Sequence, residues 1–143
     1  MKISYPARFE SGPQGRVMVN FRDLPEAATD GADFDKALAE ALNLLNSALC
    51  FRIKYRETIP TPSKPRKSEV AIVPDTGVAL KTAFYVAVSD NDMSAAELAR
   101  RLDVDHKVAQ RLPNPHPTNT IDRMNAAIRA AGKQAVIEVR PAV

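Results

Sequence analysis

The first part of the chain alternates between hydrophobic and polar residues, a pattern typical of β-strands. Residues 2–10 and 16–21 both alternate, and residues 11–15 between them contain two glycines and one proline. Glycine and proline at this position favour a turn, so the two segments predict a β-hairpin. Residues 24–31 predict one more short strand or an extended edge.

The hydrophobic period then changes from two residues to three or four. Between Asp33 and about Tyr55, apolar residues recur at this spacing, which predicts a long amphipathic helix lying on the sheet. Residues 58–68 contain three prolines and predict an extended connector, because proline interrupts helices and central strands. Residues 70–73 predict a further strand that returns to the first sheet.

Residues 93–112 predict two short helices joined by a tight turn. Ser94 is followed three residues later by Glu97, which is the capping-box spacing of a helix start. Asp105 is a candidate N-cap of the second helix. Two short helices at this spacing are typical of the helix-turn-helix motif, which places its second helix in the major groove of DNA.

One helix is predicted before this pair and one after it. Apolar residues in the segment 78–88 predict the preceding helix, and Thr120 and Gly132 are the expected start and stop of the last one. Residues 134–140 alternate again and predict a strand without a nearby partner, so we expect it to pair with a second copy of the chain. The apolar face of the last helix is expected to comprise Ile121, Met124, Ala127 and Ile128.

Composition narrows the class of protein. The chain has 143 residues and 45% hydrophobic content, enough for one sizeable domain or two small ones. No apolar run reaches the roughly 20 residues of a membrane span, and the first residues lack the apolar core of a secretory signal, so we expect a cytoplasmic protein. One cysteine and two histidines are too few and too scattered for a zinc site, and no cofactor is expected.

Charge is distributed unevenly along the chain. Residues 1–51 contain five basic and seven acidic side chains, whereas residues 52–67 contain six basic and one acidic. Residues 100–133 contain seven basic and three acidic side chains. This asymmetry indicates that the acidic first part and the basic last part have different partners.

An ordered set of short motifs is similar to one protein family. The motifs are YPA at residues 5–7, DLPEAATDG at 23–31, IPTPSKP at 59–65, LARRL at 98–102 and GK at 132–133. Together they resemble the HicB antitoxins of bacterial type II toxin–antitoxin systems, in the branch with a C-terminal helix-turn-helix. The resemblance spans nearly the whole chain.

The resemblance implies an α+β protein of two domains. Residues 1–73 would form a small α/β domain with a partial ribonuclease-H-like fold of three to four strands and a long helix. Residues 74–143 would form an all-α helix-turn-helix domain with a C-terminal strand. It further implies an antitoxin, not an enzyme, that neutralises a HicA-like mRNA-cleaving toxin, binds operator double-stranded DNA to regulate its own operon, and forms homodimers or tetramers.

Three acidic residues are candidates for the toxin-binding site. Asp23, Glu26 and Asp30 lie in the acidic first part, which could complement a basic RNA-cleaving toxin. Solvated loop charge is the alternative interpretation of each, because charges at an interface rim usually contribute little to affinity.

The basic last part supplies the candidate DNA contacts. The second helix of the pair carries groups that can donate to bases or phosphates, and the first helix adds three more polar candidates. Asp103 stands in the turn where glycine is common; aspartate tolerates the left-handed conformation but places a negative charge near the DNA. Ala95 stands where related proteins often have a glutamine that can contact a phosphate. Both departures are expected to weaken DNA binding. The candidates are His106, Lys107, Gln110, Arg111, Ser94, Arg100 and Arg101.

Two other functions remain as alternatives. A two-metal nuclease would use acids such as Asp30, Asp33, Asp35 and Glu40, but these stand near one helix start, where the helix dipole favours acids in any case. A stand-alone transcription regulator with a ligand-sensing or protein-binding N-terminal domain fits the same elements. A neighbouring gene for a short basic toxin would favour the antitoxin.

Overall fold

The computed structural model describes residues 1–111 and 121–141 of the chain. These residues form an α+β structure with one four-stranded antiparallel sheet and five α-helices, in which the order of strands is β3-β2-β1-β4. The strands are β1 (Tyr5–Ser11), β2 (Val17–Phe21), β3 (Ala28–Gly31) and β4 (Glu69–Ile72). The helices are α1 (Phe34–Lys54), α2 (Thr76–Asp90), α3 (Ala95–Leu102), α4 (His106–Arg111) and α5 (Ile121–Ala130).

The predicted hairpin and the returning strand are confirmed. Strands β1 and β2 pair antiparallel with Ala7 opposite Phe21, and a 3₁₀ turn connects them. Strand β4 pairs with the other side of β1, with Tyr5 opposite Ile72. Residues 58–66 between α1 and β4 are neither helix nor strand, as predicted for the connector.

Helix α1 covers one face of the sheet. Asp33, the first residue of the predicted helical segment, is its N-cap and accepts a hydrogen bond from the Lys36 amide at 2.9 Å. A Cβ atom added to Gly31 would lie 2.2 Å from the backbone nitrogen of Ala37, so only glycine allows β3 to approach the helix this closely. The buried residues of α1 recur every four positions: Ala37, Ala41, Leu45, Leu49 and Ile53.

The hydrophobic residues form two cores. The first core lies between α1 and the sheet and includes Tyr5, Val19 and Leu45. The second core lies among α2, α3, α4 and α5 and includes Phe84 and Leu98. Helix α2 contributes residues to both cores, although the predicted boundary at residue 74 places it wholly in the second domain.

The local signals for α3 and α4 are mostly confirmed. The Ser94 hydroxyl caps α3 by accepting from the Glu97 amide, and Asp103 ends the helix in the left-handed region with φ 51°. Asp105 accepts from the Lys107 amide at 3.3 Å at the start of α4. The Glu97 carboxylate bonds to arginines one turn further along the helix.

The C-terminal part shows two departures from the predictions. Gly132 ends α5 with φ 74° as expected, but Ile121 is exposed, so the buried face of α5 begins at Met124. Thr120 lies outside the described residues. Residues 134–140 are not a strand in this single chain, because no neighbouring strand is present in the described structure to complete a ladder.

Candidate binding surfaces

The described residues contain no arrangement that would hold a metal ion. Within residues 1–111 and 121–141, no group of three or more His, Cys, Asp or Glu side chains is placed to bind one ion. In the same part of the chain, no helix is long and apolar enough to cross a membrane. The acids near the start of α1 include its N-cap Asp33, which has a structural role.

The three predicted toxin-binding acids are all bonded within the chain. Asp23 accepts from the backbone amide and the hydroxyl of Ser63, both at 2.7 Å. Glu26 lies 2.7 Å from Arg52 of α1. Asp30 is paired with Arg16 across the β2–β3 pair, and this hydrogen bond lowers the pKa of Asp30. The Asp23 bonds therefore fix the connector against the loop after β2, whereas Glu26 and Asp30 form ion pairs at the surface.

Hydrogen bonds hold the connector against the first core. The Tyr5 hydroxyl donates to the Pro60 carbonyl at 2.9 Å, and burial, with the nearby charge of Asp23, raises the pKa of Tyr5 to about 12. Arg22 donates to the Lys64 carbonyl at 2.9 Å. The connector is therefore an ordered strap between α1 and β4.

A further pair of bonds fixes both ends of this strap. Arg52 donates to the Thr58 carbonyl at 2.6 Å just after α1. At the other end, Arg22 makes a bidentate pair with Glu69 of β4, with both distances 2.9 Å. These bonds lower the pKa of the Glu69 carboxyl, chiefly through the Arg22 contact. Arginine and carboxylate groups here stabilise the loop geometry.

An exposed aromatic pair, which the sequence patterns do not single out, lies at the C-terminal end of α1 and consists of Phe51 and the C-cap residue Tyr55. Phe51 and Tyr55 are 54% and 56% exposed, and their ring centroids are 4.4 Å apart. Lys54 places its ammonium 5.4 Å from the Tyr55 ring centroid. Their positions are the detectable signal: Phe51 lies between the buried residues Leu49 and Ile53, and Tyr55 follows Ile53 by two positions, so large side chains at both places face water.

Helix α4 brings four predicted DNA contacts together. His106, Lys107, Gln110 and Arg111 are all exposed, and Ala109 on the opposite side of the helix is buried in the second core. Residues spaced by three and four positions share one helix face, so these side chains form one polar surface. That surface can donate hydrogen bonds to an anionic partner.

Two predicted contacts on α3 are already bonded to an acid. The Glu97 carboxylate accepts from Arg100 at 2.7 Å and 3.1 Å and from Arg101 at 2.6 Å. These hydrogen bonds lower the pKa of Glu97 to about 2. Arg101 also donates to the Ala130 carbonyl at 2.7 Å, which ties α3 to the end of α5. Ser94 serves as the α3 cap.

Comparison with protein families identifies the chain. Residues 4–83 match the family model described as "HicB_like antitoxin of bacterial toxin-antitoxin system". The chain belongs to this HicB-like antitoxin family. The match covers all four strands, α1 and the first half of α2, which together form the first core.

Individual HicB-like relatives align over nearly the whole chain. The chain is 33% identical to Antitoxin HicB of Escherichia coli (strain K12) over 132 residues, which cover 92% of this chain and 96% of the relative. It is 34% identical to Antitoxin HicB 2 of Photorhabdus laumondii over 131 residues, or 92% of each chain. It is 26% identical to Antitoxin HicB of Pseudomonas fluorescens (strain Pf0-1) over 129 residues, covering 90% of this chain and 88% of the relative. The alignments therefore extend into the second core as well.

The structural role of Asp23 can be tested by substitution. Asp23→Ala leaves the Ser63 amide and hydroxyl without their acceptor, so we expect it to lower the free energy of unfolding by about 1–3 kcal/mol. Urea unfolding followed by circular dichroism measures this change. The control is Asp30→Ala, which removes a more exposed ion pair and should shift the midpoint far less. Equal midpoints for Asp23→Ala and the unmodified chain would contradict the assigned role.

Proposed function

We propose that this antitoxin neutralises a HicA-like mRNA-cleaving toxin through its first core and binds the operator DNA of its own operon through α3 and α4. The observation that carries the proposal is the coincidence of two features. The family match covers every buried residue of the first core, and the polar face of α4 is presented by the second core. Both activities would take place in the cytoplasm, where operon DNA and mRNA are found.

For the toxin-binding surface, the aromatic pair of α1 supplies the best candidate contacts. Interface affinity is concentrated in a few large side chains such as tyrosine and arginine that lose water on binding. Phe51 and Tyr55 already form a preassembled exposed pair. Three acids would add negative charge at the rim of this toxin-binding surface, and their bonds hold the neighbouring loops: Asp23, Glu26 and Asp30. Because each carboxylate is already bonded within the chain, we expect each to contribute little to the affinity for a toxin.

Growth rescue tests toxin neutralisation. Cells that co-express the full chain and the adjacent toxin gene should grow, and the Phe51→Ala/Tyr55→Ala variant should bind the toxin at least about tenfold more weakly. Isothermal titration calorimetry on the purified proteins measures that affinity. Phe34→Ala is the matched control, since Phe34 is an exposed aromatic residue at the other end of α1.

Two outcomes would count against the toxin proposal. Continued growth arrest in the presence of folded full-length protein would reject neutralisation. If DNA binding persisted in that case, the stand-alone regulator would be favoured. Equal toxin affinities for the unmodified chain and the double variant would reject the aromatic surface while leaving neutralisation intact.

For DNA binding, we propose that α3 and α4 form a helix-turn-helix with α4 as the recognition helix. Lys107 and Arg111 would contact phosphates or guanine edges, Gln110 would pair with adenine, and His106 would donate to either. Arg100 and Arg101 would contribute only to the extent that a phosphate displaces Glu97 from them, because the carboxylate occupies the same donors.

The salt dependence of binding to the upstream DNA distinguishes the contributions of α4 from those of Arg100 and Arg101. Lys107→Ala or Arg111→Ala should each weaken binding and reduce the slope of log K against log salt concentration by about one. Glu97→Gln should do the opposite, because the two arginines released would add phosphate contacts and steepen the slope by roughly one to two. Glu10→Gln, which removes a similarly exposed acid paired with Arg8 in β1, is the control and should change neither. Unchanged affinity and slope in both alanine variants would reject α4 as the recognition helix.

We further propose that the C-terminal segment joins two copies of the chain. Ala135 is partly buried against the second core, and alternation places Ile137 and Val139 on the same side of an extended segment. Ile137 and Val139 are nevertheless 75% and 91% exposed. Antiparallel pairing with the same segment of a second copy would supply the missing ladder partner and would place the apolar side chains of the two copies side by side.

Sedimentation velocity tests this self-association. The unmodified chain should sediment as a dimer or larger assembly, and Ile137→Lys should shift it towards the monomer, because the substitution places a charge on the apolar side of the strand. Lys133→Ala, which changes an exposed residue before the segment, is the control. A monomeric unmodified chain, or an unaltered assembly in Ile137→Lys, would refute the role of the tail.

A further inference from the structure

One face of α2 packs on the first core. Val78, Tyr85 and Val86 contact that core, and their spacing of seven and eight residues places them on one side of the helix. Thr82 lies between them in the sequence, is fully buried, and satisfies its hydroxyl by donating to the Val78 carbonyl at 2.8 Å. The buried Thr82 hydroxyl therefore has a hydrogen-bond partner, so burying this side of α2 leaves no side-chain polar group unpaired among the described residues.

The opposite face of α2 belongs to the second core. Phe84 is fully buried there, and Leu80, Ala83 and Val88 pack beside it. At 100° per residue, the centres of the two faces lie on opposite sides of the helix axis. A helix that is apolar on both sides is stable only where both sides are covered.

Polar contacts hold α2 to the middle of α1 and to the chain just after α1. At the start of α2, the side chains of Asn46 and Asp75 bond at 2.9 Å, and the Asp75 amide donates to the Asn46 side-chain oxygen at 3.0 Å. Near its other end, the Tyr85 hydroxyl donates to the Glu57 carbonyl at 3.0 Å. The helix is thus held to the first core at two places ten residues apart in sequence.

The remaining helices of the second core are short. Helices α3, α4 and α5 contain 8, 6 and 10 residues, whereas isolated helices below about 12–15 residues are marginal in water. Their stability must come from packing, and α2 supplies the only helix of that core longer than ten residues among the described residues.

We infer that α2 couples the two cores, so that the helices of the second core open together with the first core. Any loss of stability in the first core is then transmitted to α5 and α4. By the same linkage, a ligand that binds only the folded first core raises the folded population of the second. This last step rests on the proposed function: a toxin bound to the first core would stabilise α3 and α4, the helices proposed to bind DNA.

Native-state hydrogen exchange on the full chain tests the coupling without toxin or DNA, so its failure is distinguishable from failure of the proposed function. Leu45→Ala removes a fully buried side chain of the first core that lies on α1. We expect amide protection in α1 to fall roughly thirtyfold or more, and protection in α5 to fall by the same factor. If Leu45→Ala does not fold, Ile53→Val removes one methyl group and should lower both by roughly two- to tenfold.

The control is Ser47→Ala on the exposed side of the same helix, which should leave both regions unchanged. Protection that falls in α1 but stays constant in α5 would overturn the inference, because the second core would then be stable by itself. A fall in α5 of the same factor as in α1 supports it.

Discussion

Helix α2 packs against the first core on one side and against the second core on the other, and this packing fixes how the two cores are placed relative to each other. Val86 lies against the first core and Phe84, two residues earlier, lies in the second. The sheet and α1 need α2 to cover part of their apolar surface, and three short helices need it as their longest packing partner. The position of α4 relative to the sheet follows from this one helix, so the surface offered to DNA and the surface offered to a toxin belong to one connected body.

Arginine–carboxylate pairs occupy many of the charged side chains that a binding partner could otherwise contact. In the acidic first part, the residues expected to attract a partner are bonded to Arg16, Arg52 and Ser63. On α3, Glu97 holds two arginines in the same way. Such pairs at a surface add little stability, but they occupy donors and acceptors that a partner would otherwise use. The exposed aromatic pair Phe51 and Tyr55 is therefore the better candidate for contact with a toxin.

Elements with a strong local period were predictable, and contacts between distant residues were not. The four-residue recurrence predicted α1, alternation predicted the β1–β2 hairpin, and the spacing of Ser94 and Glu97 predicted the cap of α3. By contrast, the bond between Asp23 and Ser63 joins residues 40 apart, and no spacing rule anticipates it. Residues 134–140 alternate like a strand but have no partner strand among the described residues, so the pattern alone could not decide their state. Ile121 has the helical spacing of its neighbours yet is 63% exposed, so spacing alone did not fix which residues of α5 are buried.

Calorimetric unfolding of the full chain tests whether α2 makes the two cores a single cooperative unit. At low protein concentration, we expect one heat-absorption peak whose van't Hoff enthalpy equals the calorimetric enthalpy. Two separable peaks, or a van't Hoff enthalpy well below the calorimetric one, would show that the cores unfold independently and that α2 does not couple them.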